Sequence, residues 1–448
     1  MRSFLAGKGE AIDSEAIIVV ISSFKSKFRQ EFRQKQNEQT KAIIVGKSIQ
    51  HVTQKVRILA GHIADALQER VGVALTLEGG RITALEPIDA TTRPQTGDID
   101  ARDCLLVPGF IDIHVHGGVG RNVMEGSGKA LDAIAAHLAS HGVTGFLATT
   151  VTGPWEQQAQ ALAVTAQHMQ SMENGTQGAA ILGCHLEGPY INPKRKGAQP
   201  GNYVREPNVE ELVRECGANL AAVRVVTLAP EMPGGLDLTR FLAANGIIPS
   251  IGHTDATYAQ MCAAIDVGAR HVTHCYNAMR PLEGREPGVV GAALARPELT
   301  AELIWDNIHV HPASCAALIN AKGAEGVILI SDGIPGAGME DGYAFSLGDH
   351  TITVQSGTAR LPDGTLAGSL LTLDKAFANA GPYYTLRERA RMTSYNASLA
   401  LGLGHRKGLL RPGYDADLIL LNPDGAVRQT WVGGNRVIGS MEANGNDL

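Results

Sequence analysis

Two histidines separated by one residue, His114 and His116, end an apolar run at residues 110–116, and two glycines follow them. The run is typical of a buried strand. Strand side chains alternate between two faces, so both imidazoles point the same way. Adjacent imidazoles at the end of a strand are common ligands of divalent metals. The alternative is that both are polar residues at the mouth of a loop.

Residues that bind metals or carry protons also stand at the ends of four later apolar runs, and these residues are Glu187, His253, His274 and Asp332. Any one of them alone is explained by a buried polar group whose hydrogen bonds are satisfied. All six side chains would meet if the runs were strands of a barrel, because a barrel gathers its active site at the carboxyl ends of its strands. Imidazoles and carboxylates suit Zn²⁺ or Fe²⁺, so the set predicts a catalytic metal centre.

The types of these residues indicate hydrolysis. A catalytic metal lowers the pKa of a bound water towards about 7, and Asp332 could accept that water's proton and pass it to a leaving amine. Glu187 could bind one ion or bridge two. His309, at the end of a seventh predicted strand, could donate to a substrate oxygen. Arg285, with Asn277 and His309, could hold an anion such as phosphate, although a solvated loop arginine fits its position equally well.

The central region alternates apolar runs with helical patterns, which is the order of a (β/α)8 barrel. The strands are predicted at 110–116, 143–149, 180–187, 223–229, 247–253, 271–277, 300–309 and 327–332, with helices at 129–141, 155–172, 209–216, 238–245, 258–267 and 312–322. A doubly wound open sheet is the alternative. It would not place polar ligands at so many strand ends, and no Gly-x-Gly-x-x-Gly motif follows the first strand.

Both flanks of the central region are rich in strand patterns, so the fold class is predicted as α/β: a (β/α)8 TIM-like barrel with a small β-sandwich built from both chain ends. The predicted parts are an N-terminal extension at 1–54, the first sandwich part at 55–107, the hydrolase barrel at 108–404 and the second sandwich part at 405–448. The extension is charged, and its sequence pattern indicates no function. Phe24, Phe28 and Phe32 could form one face of a helix, but an extension without a role in the chemistry is favoured.

Composition excludes several classes of protein. The 448 residues carry a net charge of −6, which gives no indication of a nucleic-acid or membrane-surface partner. The six cysteines form no Cys-x-x-Cys pair, which favours reduced thiols in a cytoplasm. The apolar run at 17–21 is too short to span a bilayer, and the acidic Asp13 and Glu15 before it argue against a secretory signal.

Several motifs together resemble the N-acetylglucosamine-6-phosphate deacetylases, within the amidohydrolase superfamily. The resemblance covers about residues 56–438. Its motifs are HVH at 114–116, HLEGP at 185–189, GHTDA at 252–256, THCYNAM at 273–279, GREPG at 284–288 and GTLAGS at 364–369. Departures from the usual pattern include Cys275, where leucine is common, and Gln199, where some members have histidine.

The resemblance implies removal of acetate from a phosphorylated N-acetyl amino sugar, with one or two divalent ions, Zn or Fe. It implies that Glu187, His253 and His274 hold one metal, that His114 and His116 complete a second site, and that Asp332 is the general base and acid. It also implies a homodimer in which Arg285 reaches the phosphate in the neighbouring subunit. The positions that match substrate contacts are Ala198, Asn277, Ala278, Arg285, Asp306, Asn307, Ile308, His309, Leu366, Ala367 and Gly368.

Three alternatives stay open from the sequence. The nearest is the epimeric substrate, N-acetylgalactosamine-6-phosphate. A different amidohydrolase substrate, such as a cyclic amide, would leave Arg285 and Asn277 without a role in substrate binding. A catalytically silent metal-binding or sugar-phosphate-binding protein would not need a proton carrier at Asp332.

Overall fold

The computed structural model describes residues 55–171, 177–347 and 350–437. The predicted extension at 1–54, residue 172 of the second predicted helix and residues 438–448 lie outside the described residues. The described chain begins with four strands of alternating or continuous burial: β1 Val56–Ala64, β2 Glu69–Glu78, β3 Arg81–Pro87 and β4 Asp98–Pro108.

Eight parallel strands follow and form the barrel in sequence order. They are β5 Phe110–Val115, β6 Val143–Thr150, β7 Ala180–Glu187, β8 Val223–Leu228, β9 Ile248–Ile251, β10 His271–Val272, β11 Thr300–Ile304 and β12 Val327–Ile330. The first and last strands meet where Val115 and Gly333 form a parallel bridge and the Asp332 N–H donates to the His114 carbonyl over 2.9 Å. The predicted barrel is therefore confirmed.

A helix connects each pair of successive barrel strands. These are α1 Gly128–Ser140, α2 Trp155–Ser171, α3 Val209–Cys216, α4 Gly235–Ala244, α5 Tyr258–Asp266, α6 Gly288–Ala295 and α7 Pro312–Lys322. Helix α1 shows why they form: Leu131, Ile134 and Leu138 recur at helical spacing and are buried against the barrel. Short 3-10 turns lie at Val123–Glu125, Pro193–Arg195, Gly201–Tyr203, Gly217–Ala222 and Ala324–Gly326.

A three-stranded antiparallel sheet is inserted after β12 and made of β13 Ala344–Leu347, β14 His350–Gln355 and β15 Thr358–Arg360. Ile352 and Ala359 of this sheet share a hydrophobic cluster with Val151, Ile334 and Ala367, which fixes the insertion at the carboxyl end of the barrel. The eighth connecting helix and its successors then follow as α8 Leu373–Asn379, α9 Leu386–Ala390, a π turn Arg391–Tyr395 and α10 Asn396–Ala400.

The last described strands are β16 Leu418–Leu421, β17 Val427–Val432 and β18 Asn435–Val437. They join the first four strands in one sheet of order β18-β17-β16-β4-β1-β2-β3. The sheet curls so that its edges approach: a Cβ placed on Gly434 would lie 2.9 Å from the Gly80 Cα. Residues from both ends of the chain share its core, among them Leu75, Leu418 and Trp431. The sandwich built from both chain ends is thus confirmed, while its exact residue limits stay predictions.

Four predicted strands are too long, because β9, β10, β11 and β12 end at Ile251, Val272, Ile304 and Ile330 rather than at 253, 277, 309 and 332. Just beyond β12, Asp332 has a φ of 50°. Positive φ angles at His253, His274 and Asn307 (47°, 26° and 65°) turn the backbone out of the strand conformation. Helix α6 was not predicted. No helix in the described ranges is both long and apolar enough to cross a membrane.

Candidate active site

The carboxyl end of the barrel brings Glu187, His253 and His274 into one buried group. The Glu187 Oε1 lies 3.0 Å from the Nε2 atoms of both His253 and His274, and these two nitrogens are 3.1 Å apart. Glu187 is the last residue of β7, whereas each histidine stands two residues beyond its strand, at a positive φ. Such a backbone conformation is unfavourable for a non-glycine residue and is concentrated at functional sites.

A second buried group joins the first through Glu187. The Nε2 atoms of His114 and His116 are 3.2 Å apart, and the Asp332 Oδ1 lies 3.2 Å from the His116 nitrogen and 3.5 Å from that of His114. The Glu187 oxygens are 3.3 Å from the His114 Nε2 and 3.4 Å from the His116 Nε2. The structure therefore brings together the six residues that the strand ends pointed to.

The chemistry of this cluster fits one or two divalent ions. The ligand atoms of Glu187, His253 and His274 lie within 4.8 Å of one another, and so do those of His114, His116 and Asp332. Burial opposes charge on Glu187, yet His253 and His114 outweigh burial and hold the pKa of Glu187 well below its ordinary value. Burial likewise opposes charge on His116, but Asp332 and Glu187 raise its pKa to about 9. The carboxylates thus favour positive charge here, which a metal ion supplies.

Three of the four histidines are oriented through Nδ1, so that Nε2 faces the cluster. The Nδ1–H of His116 donates to the Thr149 carbonyl over 3.2 Å, and that of His253 donates to the Arg195 carbonyl over 3.0 Å. The Nδ1 of His114 faces a carboxylate instead, at 2.9 Å. The Nδ1 of His274 is buried with no hydrogen-bond partner among the described residues. A donated Nδ1–H leaves the Nε2 lone pair for a metal.

Two residues of the cluster's surroundings were not predicted. Gln199 donates from Nε2 to the Glu187 Oε2 over 2.5 Å and accepts from the Thr152 N–H over 2.7 Å. Glu302 is the carboxylate that faces His114, and it is fully buried in β11. A charged residue in the middle of a buried strand was the available signal for Glu302, since such a residue is rarely buried without a partner.

The loop after β11 presents His309 next to the cluster. The Asp306 Oδ1 accepts from the N–H groups of Ile308 and His309 over 2.8 Å each, and its Oδ2 lies 2.6 Å from the His309 Nδ1. Burial would lower the pKa of His309, but Asp306 and then Asp332 outweigh it and raise that pKa. Asn307 accepts from the Trp305 Nε1–H over 3.1 Å, and Ile308 is 45% exposed.

Two further loops flank the cluster. A Cβ placed on Gly197, beside the predicted Ala198, would lie 3.6 Å from the His253 Cε1 and 3.7 Å from the Ala278 Cβ. The Asn277 Nδ2 donates to the His274 carbonyl over 3.3 Å. The structure therefore places Gly197, Asn277 and Ala278 beside the Glu187, His253 and His274 group, while Ala198 packs against the hydrophobic cluster that includes Val151 and Ala367.

The segment with Leu366, Ala367 and Gly368 lies against Asp332. The Ser369 N–H donates to the Asp332 carbonyl over 2.9 Å, and Gly333 forms a parallel bridge with Ser369. Gly368 has a φ of 62°, and a Cβ there would lie 2.4 Å from the Ile334 Cγ2, so a side chain does not fit. This close approach fixes the segment next to Asp332.

Arg285 does not join the cluster. Its side chain is exposed and makes no hydrogen bond or ion pair with any residue that the structure describes. The loop around it is ordered by Glu286, whose Oε1 accepts from the N–H groups of Tyr258 and Gly288 over 2.7 and 3.1 Å. A free guanidinium on a fixed loop is available to an anion.

The model of the amidohydrolase family matches residues 105–437. The chain belongs to the amidohydrolase family. The N-acetylglucosamine-6-phosphate deacetylase of Bacillus subtilis (strain 168) is 40% identical over 370 residues, which are 82% of this amidohydrolase and 93% of the relative. The N-acetylgalactosamine-6-phosphate deacetylase of Escherichia coli O157:H7 is 38% identical over 362 residues, 80% of this chain and 93% of that protein.

Solved structures agree with these relatives. A mutant N-acetyl-D-glucosamine-6-phosphate deacetylase from Mycobacterium smegmatis, solved with N-acetyl-D-glucosamine-6-phosphate, superposes on the amidohydrolase with a TM-score of 0.79 at 32% identity, over 86% of this chain and all of that one. The enzyme from Thermotoga maritima has a TM-score of 0.77 at 32% identity, with the same coverage. The predicted resemblance is confirmed. The amidohydrolase family is metal-dependent, and within the described residues the buried cluster offers a set of side chains that could bind a metal.

Proposed function

We propose that this amidohydrolase hydrolyses the acetamide of N-acetylglucosamine-6-phosphate to acetate and glucosamine-6-phosphate in amino-sugar catabolism. One observation carries the proposal: the six residues converge in a chain that aligns with 93% of a deacetylase of that name. The geometry supports hydrolysis, and the relatives support the acetylated sugar phosphate as the substrate.

The donor set assigns residues to the metal. Glu187, His253 and His274 would hold one ion, and His114 and His116 would hold a second, with Glu187 shared between them. Zn and Fe suit these nitrogen and oxygen ligands. A bound ion supplies two things to the chemistry: it polarises the acetamide carbonyl and lowers the pKa of the attacking water.

Asp332 is the proton carrier in this proposal. Burial favours its neutral form, but the neighbouring His114 and His116 outweigh burial and lower the pKa of Asp332, so it is a carboxylate at neutral pH. Its backbone is held by the Asp332 N–H donating to the His114 carbonyl and by the Ser369 N–H donating to the Asp332 carbonyl, each over 2.9 Å. Asp332 accepts the proton of the attacking water and then donates it to the departing sugar amine.

The surrounding loops bind the substrate. His309 donates from Nε2 to a substrate oxygen, because its Nδ1 is already engaged by Asp306. The lining residues are Ala198, Asn277, Ala278, Asn307, Ile308, Leu366, Ala367 and Gly368. Arg285 binds the phosphate, and its exposed, unpaired side chain supports binding across the interface of a homodimer.

The free state of all six cysteines supports a cytoplasmic location. None of them is disulfide-bonded, and five are buried within the fold.

Acetate release by metal-loaded protein tests the proposal. The substrates are N-acetylglucosamine-6-phosphate, its galacto epimer and unphosphorylated N-acetylglucosamine. Fast release from the gluco phosphate alone supports the reaction, the sugar and the phosphate site together. Faster release from the galacto phosphate would favour the second candidate function, N-acetylgalactosamine-6-phosphate deacetylation. The 38% identical relative of that name supports this candidate. Release from none of the three by metal-loaded protein would refute the proposal.

A further inference from the structure

Glu302 is a fully buried carboxylate beneath the proposed metal centre, and three nitrogen atoms lie within hydrogen-bond distance of it. The His114 Nδ1 lies 2.9 Å from Oε2, and the His271 Nε2 lies 3.1 Å from Oε1. The backbone N–H of His274 donates to Oε2 over 3.1 Å. A buried charge is costly unless hydrogen-bond donors surround it, so the Glu302 carboxylate depends on all three of these contacts.

These contacts determine which nitrogen of His114 carries the proton. An ionised carboxylate only accepts hydrogen bonds, so the His114 nitrogen that faces Glu302 must donate. Nδ1 therefore carries a hydrogen, and Nε2 faces Glu187, His116 and Asp332, where a metal ion would take the place of its proton. This is the form in which an imidazole binds a metal, and a carboxylate on the far nitrogen also makes the ligand more basic.

His114 differs in this respect from the other ligand histidines. His116 and His253 donate Nδ1–H to neutral backbone carbonyls, and the buried His274 Nδ1 has no partner among the described residues. His185 packs against His114 with a ring separation of 4.6 Å, but its own nitrogens already bond the Ile113 carbonyl and the Thr227 hydroxyl. His185 is thus no substitute partner for His114.

We propose that Glu302 is a positioning residue that fixes the ring and tautomer of His114 and thereby sets the affinity of the His114 and His116 position for a second metal ion. This inference rests on the proposed metal centre. His271 orients Glu302 in turn, because it occupies the other carboxylate oxygen. The contact with His274 is to its backbone, so the Glu187, His253 and His274 position depends less on Glu302.

Zinc titration of the metal-free, full-length protein tests the proposal, with a competing chromophoric chelator to resolve two dissociation constants. In Glu302→Gln the amide offers one acceptor oxygen where three N–H groups need acceptors. We expect the second zinc to bind about 10- to 100-fold more weakly, as for other partners of ligand histidines, while the first constant stays unchanged. Asp417→Asn is the matched control, because it changes another buried carboxylate to an amide where the partners are Lys407 and the Gly433 N–H.

Two variants of His271 show whether the effect passes through Glu302. His271→Leu removes the donor to Oε1 and should also weaken the second zinc, by less than Glu302→Gln. His271→Gln keeps a donor and should restore most of the affinity. Nitrogen NMR of histidine-labelled, zinc-loaded protein should show His114 with a hydrogen on Nδ1 and zinc on Nε2 in the wild type, and the loss of this pattern in Glu302→Leu.

The proposal is overturned if Glu302→Gln and Glu302→Leu, both folded by thermal unfolding and circular dichroism, bind two zinc ions as tightly as the wild type. It is also overturned if the wild type binds only one. Because acetate release is not the readout, a wrong substrate in the proposed function would leave these results unaffected.

Discussion

Replacing Asp332 with asparagine removes the proposed proton carrier with little change in shape. The backbone at this position is held by the His114 carbonyl and the Ser369 N–H, each over 2.9 Å, and neither bond involves the side chain. The residue also keeps its φ of 50°, which asparagine tolerates better than most residues. We therefore expect Asp332→Asn to fold normally.

The size of the kinetic effect follows from the two proton transfers assigned to this side chain. General acid–base catalysis by one group contributes about 10² to 10⁴-fold, and Asp332 serves in both directions. We expect kcat to fall by about 10³-fold or more, which corresponds to about 4 kcal/mol of transition-state stabilisation. KM should change little, because the substrate-binding loops are intact.

The assay is acetate release at saturating N-acetylglucosamine-6-phosphate, with zinc per chain and the unfolding temperature measured for each sample. The Asp332 Oδ1 lies 3.2 Å from the His116 Nε2, so zinc content must be reported to separate lost chemistry from lost metal. Asp417→Asn again serves as the control and should retain full activity. A kcat within tenfold of wild type in fully loaded Asp332→Asn would refute the proton-carrier role.

Two other predictions concern substrate binding. Arg285→Ala should raise KM for the phosphorylated sugar at least about tenfold, because one charge-assisted contact is lost. KM for the unphosphorylated sugar should barely change. Equal effects on both sugars in steady-state kinetics would contradict phosphate binding by Arg285. Asp306 and Asp332 raise the pKa of His309, so its charge is fully present below the ordinary value near 6.5 and is lost as pH rises through the folded-state pKa. Asp306→Asn should therefore move the alkaline fall of kcat/KM to lower pH, and pH profiles that coincide would argue against His309.

The barrel could be predicted from the sequence because the spacing of apolar residues differs clearly between its strands and most of its helices. Helix α6 was missed because Val289, Val290, Ala292 and Ala293 make it apolar on every side, so no helical period is visible. The ends of β9 and β10 were misplaced because the pattern of apolar residues does not indicate that His253 and His274 have a positive φ.

The candidate cluster could be predicted because barrel geometry gathers the strand ends, whatever their separation along the chain. The contacts that support the cluster could not be predicted, although a charged residue within a buried strand marks Glu302 as unusual. Glu302 lies 188 residues from His114, and Gln199 contacts Glu187 through a loop whose path no local pattern determines. Such contacts arise from tertiary packing, which a single sequence does not display.

The sheet shared by both chain ends has a consequence for synthesis on the ribosome. Strand β4 pairs with β16, joining Pro108 to Leu418, and β4 leads directly into the strand that carries His114. The apolar faces of β1, β2 and β4 therefore await partners that are translated only after the whole barrel, and the nascent chain must keep them from aggregating until then. Loss of the C-terminal strands would remove Trp431 from this core and leave β4 with an unpaired edge. A late truncation is thus expected to harm the start of the barrel, far away in the sequence.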